Sequence, residues 1–158
     1  MVGWKCLERV GMKVFINEIY TGIRYQCVEL ARRYYLTMYG TVFEDVPVAK
    51  DIYGIKYLTD TKTGEHIVWP SYPNRKTSPK PMEGSLLIWS NDLPTGHVAV
   101  VTKVTDDYVH IIEQNQKQTH RVLPFSKGRI VSEGLKGWKM PPSNRKCTRC
   151  GYVYINKA

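Results

Sequence analysis

Only one long stretch of this chain repeats its apolar residues with a helical period, and it precedes a run of strand-like segments. That order limits the fold class more than any other feature. In residues 26–40, apolar side chains recur at Val28, Ala31, Tyr34 or Tyr35, and Met38, the spacing of one helix face. Gly40 follows at a C′ position, where a left-handed residue ends a helix. Cys27 falls in the first turn, where open N–H groups and the macrodipole favour a thiolate. The plainer reading of Cys27 is a buried cysteine, and this stretch alone does not separate the two.

After residue 84 the pattern changes. Ser85–Trp89, His97–Thr102 and Tyr108–Glu113 are short runs rich in β-branched residues, with Gly84, Asn91-Asp92 and Asp106-Asp107 as punctuation. A helix followed by consecutive strands predicts an α+β fold with an antiparallel meander, not an alternating βαβ one. Arg129–Val131 and Leu135–Trp138 are further strand candidates, and Met12–Ile16 a short strand near the start. Tyr20–Gly22 reads as a turn, Val48–Tyr53 as a short helix stopped by Gly54, and Thr59–Pro81 as a long polar loop flanking a cleft.

The 158 residues suffice for one domain with a real core, and 42% hydrophobic against 23% charged residues marks a globular chain. No apolar run approaches a membrane span, and residues 1–12 lack the apolar centre of a signal peptide. A cytoplasmic protein, or one released by lysis or with a virion, is the expectation. The four cysteines, Cys6, Cys27, Cys147 and Cys150, are too few for a disulfide scaffold. Net charge is +9, and five Lys/Arg with no acid lie from Lys139 onward. That basic end suits a polyanion, although no aromatic ladder accompanies it. The chain divides into a catalytic-domain candidate, 1–140, and a basic tail, 141–158.

The strands carry the chemistry. In an antiparallel hairpin, facing residues have a constant sum, and a turn near Thr105 makes it about 210. Val101 then faces Val109, and His97 faces Glu113. The imidazole and the carboxylate of these two apolar ladders become partners at the open end, provided the register does not slip. A thiol nucleophile requires such a base, and the base an acceptor on its other nitrogen. Asn115 points to the same side if the strand continues, and Gly96 allows close backbone approach. His66, His110 and His120 read as surface residues.

Gln26–Arg33, Gly84–Trp89, Gly96–Thr102 and Glu113-Gln114-Asn115 together resemble the CHAP superfamily of cysteine, histidine-dependent amidohydrolases and peptidases. The likeness is greatest to the amidase domains of glutathionylspermidine synthetase/amidase and trypanothione synthetase. It extends to Tyr39–Val46, Trp69–Asn74 and Gly137-Trp138. The resemblance implies a papain-like α+β fold whose N-terminal helix carries the nucleophile and packs on the meander. It implies Cys27 as nucleophile, His97 as base and Glu113 as its orienter. Gln26 and the Cys27 N–H would act near the oxyanion, and Arg32 and Asn115 on the substrate. No synthetase domain follows, so no ligase activity is expected.

The tail motif, Cys147-Thr148-Arg149-Cys150, resembles one knuckle of a zinc ribbon. A structural zinc takes four ligands, and only Cys6 and the histidines remain to complete a site. Free thiols on a flexible tail are the alternative. Catalysis itself would need no cofactor. Three functions compete: cleavage of glutathionylspermidine-type amides, hydrolysis of peptidoglycan peptides, and a non-enzymatic binding module using the tail.

Overall fold

The structure, a computed structural model, describes residues 13–16, 18–23, 26–90, 94–114, 119–142, 145–146 and 153–154. Cys6, Asn115, Cys147 and Cys150 lie outside these residues, as do Asn91 and Asp92. Among the described residues no helix is long and apolar enough to cross a membrane.

One α-helix, α1 (Cys27–Tyr39), lies among fourteen described strands, which makes the fold α+β. Gly40 closes α1 at φ 63°, its N–H donating to the carbonyls of Leu36 and Tyr35. Before the helix, β1 (Lys13–Ile16) and β2 (Ile19–Ile23) form a hairpin. The expected turn at Tyr20–Gly22 is therefore strand. The chain reverses earlier, beside Glu18, which takes a left-handed φ of 66°. Beyond Gly40 come β3 (Thr41–Val42), a 3₁₀ turn (Ala49–Gly54), β4 (Tyr57–Asp60) and β5 (His66–Val68). Strands β3, β4 and β5 make a small sheet. The end of β4, all of β5, and β6 (Ser71–Pro73) fall within the stretch expected to be a loop. Its prolines sit at strand ends and between strands, where no ladder donor is lost.

The principal sheet is formed by β6, β7 (Leu86–Trp89), β8 (His97–Val104), β9 (Tyr108–Ile112), β10 (His120–Ser126), β11 (Arg129–Ile130) and β12 (Leu135–Lys139). Its order is β11-β10-β9-β8-β7-β12-β6, antiparallel throughout. A separate pair, β13 (Arg145–Lys146) and β14 (Val153–Tyr154), follows. Both faces of the central strands are buried, so β7 and β8 read as continuous apolar runs rather than alternating ones. Leu86, Ile88, Val98 and Val100 meet Leu30, Ala31, Tyr34 and Tyr35 of α1 on one face. Leu87, Ala99, Val101, Ile111 and Trp138 pack on the other.

The β8–β9 register departs from expectation. Val101 pairs with Ile111, not Val109, and the ladder shifts between Val101 and Lys103. Thr102 is the extra residue of a bulge, so Val101 and Val104 both face the second core. Near the open end the slip is two residues. An even slip preserves the face of every side chain, so His97 and Glu113 stay on one side but meet diagonally.

β2 passes very close to α1. A Cβ on Gly22 would stand 2.9 Å from Glu29 Cβ, and its φ of 142° excludes most side chains. Next to it, Thr21 Oγ1 donates to buried Glu29 Oε1 at 3.0 Å. We expect Gly22→Ala to destabilise the fold by about 2 kcal/mol or more. Gly54→Ala, where a Cβ meets nothing within 4 Å, should stay within ~0.5 kcal/mol of wild type. Urea-denaturation midpoints of the two variants check this.

Candidate active site

Cys27 is the first residue of α1, and His97 the first of β8. Because α1 packs across β7 and β8, the two ends converge on one cleft of about 410 Å³. Tyr20, Gln26, Asp45, Pro47 and Thr95 are among its other lining residues. Cys27 is a buried free thiol, only 9% exposed, and it hydrogen-bonds the His97 ring. Gly96, at φ 63°, lets the chain approach the 3₁₀ turn: a Cβ there would overlap the Trp89 carbonyl and the Lys50 side chain.

The ring of His97 is held on its far side. Its Nε2 lies 2.7 Å from Glu113 Oε1, which leaves Nδ1 as the nitrogen for Cys27. The Trp89 ring, 5.4 Å from the imidazole between centroids, backs it. Burial alone would lower the pKa of His97. Hydrogen bonds to Cys27 and Glu113 and their charges outweigh that, and raise it from 6.5 to about 9. Burial likewise pushes Glu113 up, but hydrogen bonds from His97 and Arg121 bring it below its ordinary value.

Arg121 was not singled out from the sequence. It lies on β10 opposite Ile111, on the side of the sheet that carries Glu113. Its Nε donates to Glu113 Oε2 and its Nη2 to Oε1 at 3.1 Å. The missed signal is alternation: Arg121, Leu123 and Phe125 share a face, and an arginine at a core-facing strand position needs an acid opposite. Pro124 disguised this strand. It pairs with Tyr108 near the ladder's end, and the bond it makes beyond that uses its carbonyl, which accepts from Val131 N–H.

Arg32 and Gln26, the other described residues expected at the site, differ in their surroundings. Arg32 is not among the cleft-lining residues. Its Nε donates to the Phe43 carbonyl at 3.1 Å and its Nη1 to the Tyr20 carbonyl at 2.9 Å, so it ties β2 to the segment after β3. Gln26 lines the cleft from the N-cap position of α1. The first intrahelical bond runs from Leu30 N–H to Gln26 O, so the Cys27 N–H precedes the helical ladder. Gln114, its amide assigned from its partners, donates to Gln26 O at 3.0 Å and accepts from Arg33 Nη2 at 3.2 Å. Arg33 Nε in turn lies 3.1 Å from Glu29 Oε1. This chain of contacts tethers the segment carrying Glu113 to the helix start. As expected, His66 and His120 are exposed and His110 half-buried, away from the cleft.

The family profile described as the CHAP domain matches residues 18–115, which include Cys27, His97 and Glu113. The chain belongs to the CHAP domain family. It is 38% identical over 114 residues to the bifunctional glutathionylspermidine synthetase/amidase of Escherichia coli strain K12, covering 70% of this chain and 18% of that protein. It is also 38% identical over 109 residues to trypanothione synthetase of Crithidia fasciculata, covering 68% and 17%. The glutathionylspermidine synthase of the same organism is 31% identical over 111 residues, covering 67% and 15%. This CHAP chain spans less than a fifth of the length of these relatives. Family and relatives together support a hydrolase.

The geometry sets a pH signature. His97, raised in the folded state, contributes stability that is full below pH 6.5 and lost as pH rises through about 9. Wild-type stability should therefore decline across that window, and His97→Gln should remove much of the slope. Urea midpoints taken at half-unit pH steps measure it.

Proposed function

We propose that this protein is a cysteine-dependent amidohydrolase of papain-like design, with Cys27 as nucleophile, His97 as acid and base, and Glu113 as the orienter of His97. The observation that carries this reading is the contact series Cys27–His97–Glu113, closed by the 2.7 Å bond to Glu113 at the end of a solvent-open cleft.

The steps follow from those positions. The Cys27 sulfur, ion-paired with the His97 imidazolium, attacks the amide carbonyl. The Cys27 N–H and the Gln26 side chain stabilise the oxyanion, an effect of about 3 kcal/mol per donor. His97 Nδ1 gives its proton to the departing amine, and a thioester remains on Cys27. His97, now neutral, draws a proton from water, which attacks the thioester and releases the acid and the free thiol. No step calls on a metal or an organic cofactor.

The substrate we favour is a glutathionylspermidine-type amide, cleaved to glutathione and spermidine. The relatives support it, and so does the charge of the cleft. Asp45 stands exposed in it, and no lysine or arginine is among its described lining residues, although the chain is strongly basic. Such a cleft suits a cationic amine as leaving group. Arg32 would act on the substrate indirectly, by holding the carbonyls of Tyr20 and Phe43, and Asn115 from beyond the acid. The net charge of +9 favours a second reading, hydrolysis of peptidoglycan in an anionic cell wall.

Purified protein should release spermidine from glutathionylspermidine, and Cys27→Ala should lower turnover at least ~10³-fold while binding survives. Liquid chromatography of the released amine measures it. Clearing of peptidoglycan gels with no amine release would move the substrate to the wall. Failure of an electrophilic thiol probe to label Cys27 at neutral pH, with neither activity present, would overturn the hydrolase reading.

A further inference from the structure

The carboxylate that orients His97 is shared. Glu113 Oε1 accepts from His97 Nε2 at 2.7 Å and from Arg121 Nη2 at 3.1 Å, while Oε2 accepts from Arg121 Nε. The Glu113 side chain is fully buried, and that of Arg121 is 36% exposed. The guanidinium is further fixed over the Trp89 ring, 5.8 Å from its centroid, and the same indole backs His97. Arg121 is thus held by two partners that also define the position of the imidazole.

We propose that Arg121 is a positioning residue that tunes His97 through Glu113, by taking part of the carboxylate's negative charge away from the imidazole. The inference rests on the cysteine-hydrolase reading of the site for its consequence, but not for its measurement. The Glu113 carboxylate and the Arg121 guanidinium behind the imidazole together carry no net charge. Without Arg121, Glu113 would face the ring with its full negative charge. A proton bound too firmly is passed poorly to a leaving amine. A ring that stays protonated also cannot serve as the base for water in thioester hydrolysis. By sharing Glu113, Arg121 keeps the proton on His97 exchangeable.

Among the described residues, the other charged groups near this ring are these. Cys27 faces it from α1, and Glu113 from the end of β9. Lys50 of the 3₁₀ turn lies beside Gly96. Asp45 and Glu29 line the same cleft, and β7 presents only the Trp89 indole. Arg121 is the cation bonded to the His97 acceptor.

The test is the titration of His97 followed by NMR of the imidazole C–H signals, assigned by their loss in His97→Gln. It uses the full chain and needs no turnover. In Arg121→Gln, which keeps a donor but drops the charge, the midpoint should rise by about one pH unit above wild type. In Arg121→Lys, which keeps the charge but not the fork, it should stay within about 0.3 unit. Where an amide substrate is turned over, the basic limb of the kcat/KM profile should move up with the Gln variant and not with the Lys variant. A midpoint in Arg121→Gln at or below the wild-type value would overturn the proposal, since Arg121 would then only keep Glu113 in place. If that variant does not fold, a fall of the Arg121→Lys midpoint toward 6.5 overturns it equally. An inert wild type whose Cys27 resists labelling would instead defeat the hydrolase reading and leave the titration result standing.

Discussion

The apolar face of α1 lies against β7 and β8, with Ala31 and Tyr35 wholly buried, and that contact determines where Cys27 stands. A helix end and a strand end are brought together by the packing behind them. The wedge of Tyr35, Tyr39, Phe43 and Trp69 stiffens the arrangement. Tyr35 Oη donates to the Gly84 carbonyl at 2.7 Å, and the rings meet at 5.2–5.5 Å. Large interlocked rings leave few ways to shift a helix along a sheet. Lys139 adds an unusual clasp beneath them. Its buried Nζ donates to the carbonyls of Ile55 and Trp69 and lies 4.6 Å from the Trp69 ring centre. Burial lowers its pKa from 10.5 to about 8.

Around that scaffold the site is built in depth. Cys27 and His97 face the cleft, Glu113 stands behind His97, and Arg121 behind Glu113. A parallel series, Glu29–Arg33–Gln114, reaches back to the carbonyl of Gln26 beside Cys27. The two series leave Glu113 and Gln114, adjacent residues, in opposite directions. The segment after β9 is therefore anchored to both the sheet and the helix start. The proposed chemistry needs such anchoring of Cys27 and His97, because misplacement by an ångström costs a large share of the rate.

Much of this was legible before any coordinates. The helix and its glycine stop, the meander, and the likeness to CHAP domains were readable because each rests on local periodicity or a contiguous motif. The strands within 59–81 were not, since β4, β5 and β6 are only three or four residues long, and the prolines around them argue for loop. β10 was hidden in the same way by Pro124, and with it Arg121. The hairpin arithmetic reached the correct partner for His97 through an inexact register. The Thr102 bulge displaced the ladder, but by an even number of residues at the open end, so the faces survived.

The sequence by itself determined which chemical groups were available: one cysteine at a helix start, one histidine opening a strand, and one acid at the far end of the next. Residue type and period carry that information, because they are properties of short segments. Tertiary structure alone decided how those groups are shared. It committed the Arg32 guanidinium to the backbone carbonyls of Tyr20 and Phe43. It also gave Glu113 a second cation, and bound Gln114 to both Gln26 and Arg33. Such partnerships join residues distant in sequence. Burial forces them, since a charged or polar group removed from water must find its partner wherever the packing leaves one.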